Sequence, residues 1–318
     1  MKAVYITGCY GLIGGHVTIE CLKKGWKVRG IDKITYAANE KLWRPKFEKF
    51  GDNFEFIESD ITKLDYLPYC DYVINTAAET HVCNSISSSH EFMHSNVMGV
   101  YNLLESIKNK KQYKKPILLH LSTDETMGDC EIDKKYDESC LLNPSNPYSA
   151  SKACADMLIL AWARTYGVPY VIVRPSNNYG IGQYVEKLIP LSCKNLALGK
   201  KIPLHLNGIP KRTWLHADDT AMAIVKIIEQ NIENEIFNIS GDEEYQNIEV
   251  VERIINEFFK NPVDIKEYVD TSYQRDGIDL RYRIDDSKIR KMLNWAPKQK
   301  LFDNLPQIVQ YYKENFIW

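Results

Sequence analysis

Thr123, Asp124 and Glu125, with Tyr148 and Lys152 shortly after them, supply a hydroxyl, two adjacent carboxylates, a phenol and an amine. Such a set can move both hydrides and protons. Tyr148 and Lys152 are four apart, so on a helix they share a face and the ammonium can sit close to the phenol. A free phenol titrates near 10 and is a poor base at neutral pH, and a neighbouring cation lowers that value. Two neighbouring carboxylates repel, which raises the pKa of one of them, as burial does; one can then serve as acid while the other serves as base.

These residues need a scaffold, and the apolar pattern predicts one. Residues 116–121 (P-I-L-L-H-L) read as a buried parallel strand, which places Asp124 and Glu125 beyond its carboxyl end, where open α/β sheets hold ligands. Residues 2–7 read as a strand leading into Gly8-Cys9-Tyr10-Gly11-Leu12-Ile13-Gly14, then a helix to residue 24, then a strand at 28–32. In that setting G-x-x-G-x-x-G is a dinucleotide fingerprint. Gly8 and Gly11 let the backbone approach a pyrophosphate, and Gly14 lets the helix pack closely on the sheet. Asp32 ends the second strand, where a carboxylate accepts from an adenosine ribose and disfavours a 2′-phosphate; it points to NAD rather than NADP, although Arg29 and Lys33 lie close by.

Further strands are predicted at 54–58 and 72–75, ending in Asp60-Ile61 and Ala77-Ala78-Glu79-Thr80, whose small residues leave room for a cofactor. A long helix is predicted over 86–109. The helix over 147–166 is apolar nearly all round, so both of its sides must be covered. After a strand at 170–174 the rhythm breaks: 176–180 is a polar turn, followed by a helix at 185–198 and short strands at 202–206 and 213–216. A helix at 218–230, a strand at 236–239 and helices at 248–259, 285–293 and 305–315 complete the chain. The pattern predicts an α/β protein: a doubly wound parallel sheet of Rossmann type with a smaller, discontinuous substrate-binding lobe. Residues 1–175 with 212–240 form the first domain and 176–211 with 241–318 the second.

Composition narrows the function. At 318 residues, with 44% apolar and 26% charged side chains, the chain is that of a globular enzyme. A net charge of -2 gives no electrostatic case for nucleic acid or an anionic membrane. The opening residues lack a signal-peptide pattern and no run has the length of a spanning helix, so a cytoplasmic protein is expected. Its eight cysteines have no C-x-x-C spacing and read as reduced thiols. His90-Glu91-Phe92-Met93-His94 matches the H-E-x-x-H zinc pattern. No third ligand follows and the helix is a crossover between strands, so no metal is expected.

With the glycine turn and the Tyr148/Lys152 pair together, the chain resembles the extended short-chain dehydrogenase/reductase superfamily, and within it the nucleotide-sugar 4,6-dehydratases of the dTDP-glucose type. The similar segments are residues 31–37 (I-D-K-I-T-Y-A), 77–82 (A-A-E-T-H-V), 122–125 (S-T-D-E), 147–152 (P-Y-S-A-S-K), 174–180 (R-P-S-N-N-Y-G), 186–190 (E-K-L-I-P) and 212–216 (R-T-W-L-H). The resemblance implies that Tyr148 is the base for oxidation at carbon 4 of a hexose and that Lys152 holds the cofactor ribose and lowers the phenol's pKa. It implies that Thr123 binds the carbon 4 oxygen, Asp124 protonates the departing carbon 6 hydroxyl and Glu125 takes the carbon 5 proton. NAD is then expected against Gly8, Gly11, Leu12, Ile13, Gly14, Asp32, Lys33, Thr35, Asp60, Ile61, Ala77, Ala78, Glu79, Asn96, Ser122, Tyr148, Lys152 and Asn178. The nucleotide sugar is expected against Thr80, Thr123, Asn177, Lys187, Leu188, Pro203, His205, Arg212, Asn247 and Arg275, with Arg212 and Arg275 facing the diphosphate.

A homodimer is also implied, built from the 86–109 and 148–166 helices across a two-fold axis. Departures from the family pattern at Thr126-Met127, Cys83-Asn84, Thr213 and residues 275–279 leave the nucleotide and hexose open. Related 4-epimerases and decarboxylases share the Tyr/Lys pair, and Asp124-Glu125 separates this chain from them. A non-catalytic NAD-binding regulator would have no use for a tuned phenol.

Overall fold

The structure is a computed structural model that describes residues 1–64, 66–110, 114–272 and 276–317. Its strands are β1 (Ala3–Thr7), β2 (Lys27–Asp32), β3 (Phe54–Glu58), β4 (Tyr72–Asn75), β5 (Ile117–Leu121), β6 (Tyr170–Pro175), β7 (Asn177–Tyr179), β8 (Ile202–Pro203), β9 (Lys211–His216), β10 (Glu235–Ile239), β11 (Glu244–Gln246) and β12 (Val269–Asp270). Seven of them form one sheet in the order β10-β6-β5-β4-β1-β2-β3, with every pairing parallel. This is the doubly wound α/β sheet expected from the sequence, with its switch point between β1 and β4.

The helices are α1 (Leu12–Lys23), α2 (Glu40–Glu48), α3 (Val82–Ser87), α4 (His90–Phe92), α5 (Gly99–Lys108), α6 (Pro147–Tyr166), α7 (Leu188–Ala197), α8 (Ala217–Glu229), α9 (Asn247–Phe259), α10 (Ser287–Leu293) and α11 (Leu301–Glu314). The two-residue period of the strands sorts their side chains between two cores. Val4, Ile6, Ile74, Leu119 and Val173 join α1, α8 and α10 on one face. Tyr5, Val73, Leu118 and Ile172 join α5 and α6 on the other. A third core unites α7, α9 and α11 with Trp214 and Val269 beyond the end of the sheet.

Several elements differ from the sequence expectation. The single helix over 86–109 is broken at Ser88, whose backbone is extended, and restarts as α4. It then runs through a π-helical turn at Met93–Met98 before α5. Residues 177–179, expected in a turn, pair as β7 alongside β9, which also takes β11. Helix α2 was not foreseen, because Pro45 lies inside it; its signal is Asn39 as cap with the buried Trp43 and Phe47 four apart. The 202–206 strand ends at Pro203, and Leu206 and Asn207 follow with φ of 47° and 54°. Helix α10 packs on the sheet core through Ile289 and Leu293, not on the third core. No described helix is long and apolar enough to cross a membrane.

Candidate active site

A continuous groove follows the carboxyl ends of the strands. At one end it is lined by Asp32, Lys33, Thr35, Asp60, Ile61, Ala77 and Glu79. At the other it is lined by Leu12, Ile13, Gly14, Thr80, Ser122, Thr123, Asp124, Glu125, Tyr148, Asn177, Asn178 and Lys187. Gly8, Gly11 and Ala78 line both parts.

The glycine turn is built for close approach. Gly8 has φ of 70° and its N–H donates to Ile31 O at 2.7 Å; a Cβ there would lie 2.8 Å from Ala77 Cα. A Cβ on Gly14 would overlap the Gly8 carbonyl oxygen. The buried Asp32 carboxylate accepts from Tyr10 N at 3.0 Å and Ile34 N at 2.9 Å. Burial raises its pKa and these N–H groups oppose the rise. Lys33 donates to Ser95 Oγ at 3.2 Å and lies 3.8 Å from Asp60 and 4.0 Å from Glu79. This is a cradle of backbone and carboxylate that fits a dinucleotide without added groups.

At the chemical end, Thr123 caps a short 3₁₀ turn, Asp124–Met127, its hydroxyl accepting from Glu125 N at 3.3 Å and donating to Asp124 Oδ1 at 3.3 Å. The turn sends the two carboxyls into different surroundings: Asp124 is buried and Glu125 half-buried. Burial first, and then the Glu125 charge, push the Asp124 carboxyl up to about 8, with Arg212 opposing. One member of the pair is therefore an acid at neutral pH, as the sequence suggested.

The Tyr148/Lys152 pair behaves differently from the expectation. Helix α6 begins with a capping box at Asn146 and Ser149 and with Pro147 in its first turn, and the Tyr148 N–H donates to Ser85 Oγ at 3.2 Å. Burial, then Glu125, raise the phenol's pKa; the Thr123 hydroxyl, which hydrogen-bonds the phenol, opposes the shift. Lys152 points to β5 instead, donating to Leu121 O at 2.5 Å and lying 3.3 Å from His120 Nε2. It does not line the groove. Burial pushes its amine down to about 8, with Asp156 opposing.

Other expected residues are placed as follows. Asn96 sits behind the groove, where the π turn aims it inward. Its side chain accepts from Glu79 N at 2.9 Å and donates to Glu79 O at 3.0 Å and Ser151 Oγ at 2.9 Å. Asn178 is held by Thr220 at 2.7 Å, and Lys187 spans the groove to Thr80 O at 2.6 Å. Arg212, expected to face a diphosphate, is committed elsewhere: its guanidinium donates to Lys211 O at 2.7 Å and Asp279 O at 3.0 Å and lies 4.2 Å from the centre of the Tyr282 ring. Its place in the buried end of β9 leaves it near Asp124 but outside the groove lining. Leu188, Pro203, His205 and Asn247 lie in the second lobe and do not line the groove; Asn247 N donates to Pro210 O at 3.0 Å. Arg275 lies outside the described residues.

Residues the sequence reading missed surround this end. Asp279 accepts from Tyr282 Oη at 2.5 Å and from Ser145 Oγ. Asp156, one turn after Lys152, pairs with Arg174 at 3.1 Å in the core. His120 and Asn75 are polar residues inside apolar strands, which is the signal that could have found them. His90 and His94 stack 6.2 Å apart on the surface, and among the described residues no group of three or more His, Cys, Asp or Glu side chains could hold a metal.

Comparison with known proteins agrees with this geometry. The model of the GDP-mannose 4,6 dehydratase family matches residues 5–308. The chain belongs to that family. The dTDP-glucose 4,6-dehydratase of Neisseria meningitidis serogroup B is 37% identical over 340 residues, covering 100% of this chain and 95% of the relative. A trifunctional plant protein of Arabidopsis thaliana, with UDP-glucose 4,6-dehydratase as its first activity, is 34% identical over 100% of this chain and 48% of its own length. Among solved structures, a dTDP-glucose 4,6-dehydratase from Streptomyces venezuelae with NAD bound has a TM-score of 0.89 at 32% identity, covering 98% of this chain and 97% of that one.

Proposed function

We propose that this protein is an NAD-dependent 4,6-dehydratase that converts a nucleoside diphosphate hexose to the 4-keto-6-deoxy sugar. The observation that carries the reading is the Asp124/Glu125 pair in one groove with Tyr148, with Asp124 held as the acid. An epimerase needs no such pair.

Asp32, Gly8, Gly11, Gly14, Ala77 and Ala78 would hold NAD, which supplies the acceptor for the carbon 4 hydrogen and returns that hydrogen to carbon 6. Tyr148 takes the carbon 4 hydroxyl proton, and Thr123 fixes that oxygen. The resulting ketone acidifies carbon 5. Glu125, which is half-buried, takes the carbon 5 proton, while Asp124 delivers its proton to the carbon 6 hydroxyl, which leaves as water. Glu125 then returns a proton to carbon 5, and the cycle closes when Tyr148 gives up the carbon 4 hydroxyl proton and Asp124 regains one, so the net change is the loss of one water. The nucleotide sugar enters between Thr80, Asn177 and Lys187.

The first domain comprises 1–175 and 212–240, joined by α10, and the second comprises 176–211 with the rest of 241–318. The assembly is a homodimer, supported by the apolar exposed stripe of α6 described below. A cytoplasmic location suits eight free cysteines. Incubation with dTDP-glucose, UDP-glucose and UDP-N-acetylglucosamine in turn, followed by mass spectrometry, should show one nucleotide sugar lose the mass of water. Turnover of none, or epimerisation without water loss, would remove the proposal.

A further inference from the structure

One hydroxyl group at the far end of the chain holds a loop of the groove, and none of the steps above uses it. Tyr312 on α11 is fully buried in the third core, and its Oη sits inside the turn that follows β7. Gly182 N donates to it at 3.1 Å and Gln183 N at 2.7 Å, while the Gly180 and Gln183 carbonyl oxygens lie 3.1 Å and 2.8 Å away. A phenol has one proton to give and two lone pairs to offer. Two N–H groups and one carbonyl therefore use its whole capacity, and burial raises its pKa, so the proton stays.

The same turn is pressed from its other side. Gly182 has φ of 101°, and a Cβ there would lie 2.9 Å from Trp43 Cζ2 and 3.0 Å from Leu42 Cδ2 of α2. Residues 180–187 thus form a strap gripped between α11 and α2, and it ends where α7 begins at Leu188. Its side chains reach the groove: Gln183 Nε2 donates to Asn178 O at 2.9 Å, and Gln183, Tyr184, Glu186 and Lys187 line the chemical end. Tyr184 meets Tyr36 of the opposite wall edge-on, with ring centres 5.1 Å apart, and Tyr36 Oη donates to Glu79 Oε2 at 3.3 Å. Tyr36 adjoins Ala37, which lines both parts of the groove, so the ring contact stands where the two parts meet. Lys187 closes the same gap further along, through Thr80 O.

We propose that Tyr312 is a positioning residue for the cofactor: its hydroxyl sets the strap, and the strap, meeting Tyr36 across the groove, retains the bound dinucleotide. A dinucleotide that fills both parts of the groove passes the Tyr36–Tyr184 contact, so it leaves only when the strap lifts. Lifting the strap breaks the Tyr312 contacts, which therefore slow release. A cofactor reduced and reoxidised within one turnover has no need to leave, and in that respect the use of the strap rests on the dehydratase reading.

The test follows labelled NAD leaving the full chain in the presence of excess unlabelled NAD. Tyr312→Phe keeps the ring in the core and deprives the Gly182 and Gln183 N–H groups of their partner, so exchange should quicken about tenfold or more. Tyr184→Ala opens the strap at its other contact and should also quicken exchange. The two substitutions together should do little more than the larger of them, because both release one strap. Ile255→Ala, in the same core but on α9, should lower the thermal midpoint and leave exchange as it was. Exchange at the unsubstituted rate in Tyr312→Phe or Tyr184→Ala, factors that multiply in the double variant, or equal quickening by Ile255→Ala would overturn the inference. Where Tyr312→Phe does not fold, the amides of Gly182 and Gln183 decide: their hydrogen exchange should be slow in the unsubstituted NAD-bound protein and faster in Tyr184→Ala. Amides that exchange like those of an open loop in the unsubstituted protein would overturn it. No sugar enters these measurements, so a failed dehydration assay leaves a positive result standing, and NAD exchange that ignores the strap leaves the dehydratase reading standing.

Discussion

Asp124 owes its role to being buried beside a second carboxyl, and this has consequences for both rate and stability. With its folded pKa near 8, dehydration should decline above about pH 8 as the acid is lost. The stability effect runs the same way. Between the ordinary value of 3.8 and about 8 the folded state keeps a proton that the unfolded chain releases, so this group's contribution is complete below about pH 4 and is lost as pH rises through about 8. Asp124→Asn should therefore raise the thermal midpoint at pH 8 more than at pH 5, while slowing water loss by about a hundred- to ten-thousandfold. Equal shifts at both pH values would show that Asp124 is ionised in the folded protein. Glu125→Gln should still reduce bound NAD, seen as near-ultraviolet absorbance, while losing dehydration and solvent deuterium uptake at carbon 5; wild-type dehydration in that variant would return the argument to an epimerase. These residues were legible in the sequence because their chemistry is carried by contiguous segments. His120 and Asn75 were not, since each is one polar letter in an apolar strand and their partners lie on other elements.

At the scale of elements, legibility followed the strength of the local signals. The β3 and β4 strands and helix α6 fall where the periodicity put them, and α6 carries its own punctuation: an Asn146 cap, Pro147 in the first turn and Gly167 left-handed at its end. The 86–109 helix shows the opposite case, because its period continues through a π turn that sequence cannot mark. That turn has a purpose in packing, as it brings Asn96 under the Glu79 loop. Asn96→Ala removes three hydrogen bonds and leaves half-buried Glu79 backbone groups without these partners, at a cost of about 1–3 kcal/mol. The expected result is a folded protein with a lower thermal midpoint that sheds NAD during gel filtration. Retention of NAD at the unsubstituted level would make Asn96 a packing residue only. Gly14→Ala should be harsher, since its Cβ overlaps the Gly8 carbonyl oxygen and α1 must move off the sheet. A variant with normal NAD content would show that the turn can yield.

At the scale of the whole molecule, the sequence indicated a helix in need of cover on both sides, and the fold supplies cover for one. On α6, Tyr148, Ser149, Ser151, Lys152, Ala155, Asp156 and Ile159 face the interior, while Cys154, Met157 and Ala161 form an exposed stripe at three- and four-residue spacing. Met157 is 57% exposed, and on α5 Tyr101 is 39% exposed, its ring packed edge-on against Trp162 of α6 at 5.8 Å. A surface helix left to solvent carries charges along such a stripe; this one carries a thiol, a thioether and a methyl group before the first exposed charge, Arg164, near the helix end. A second copy turned about a two-fold axis presents the same stripe back, so α5 and α6 of both chains can pack as a four-helix layer, and self-complementary contact of this kind closes at two subunits. Light scattering at micromolar concentration should therefore give twice the chain mass. Met157→Lys with Ala161→Glu puts charge at the centre of that layer, where burial without partners is costly, and should yield monomers that keep NAD, because the groove is built within one chain. A monomeric unsubstituted protein would sink the dimer. A double variant that stayed dimeric would move the interface to another face.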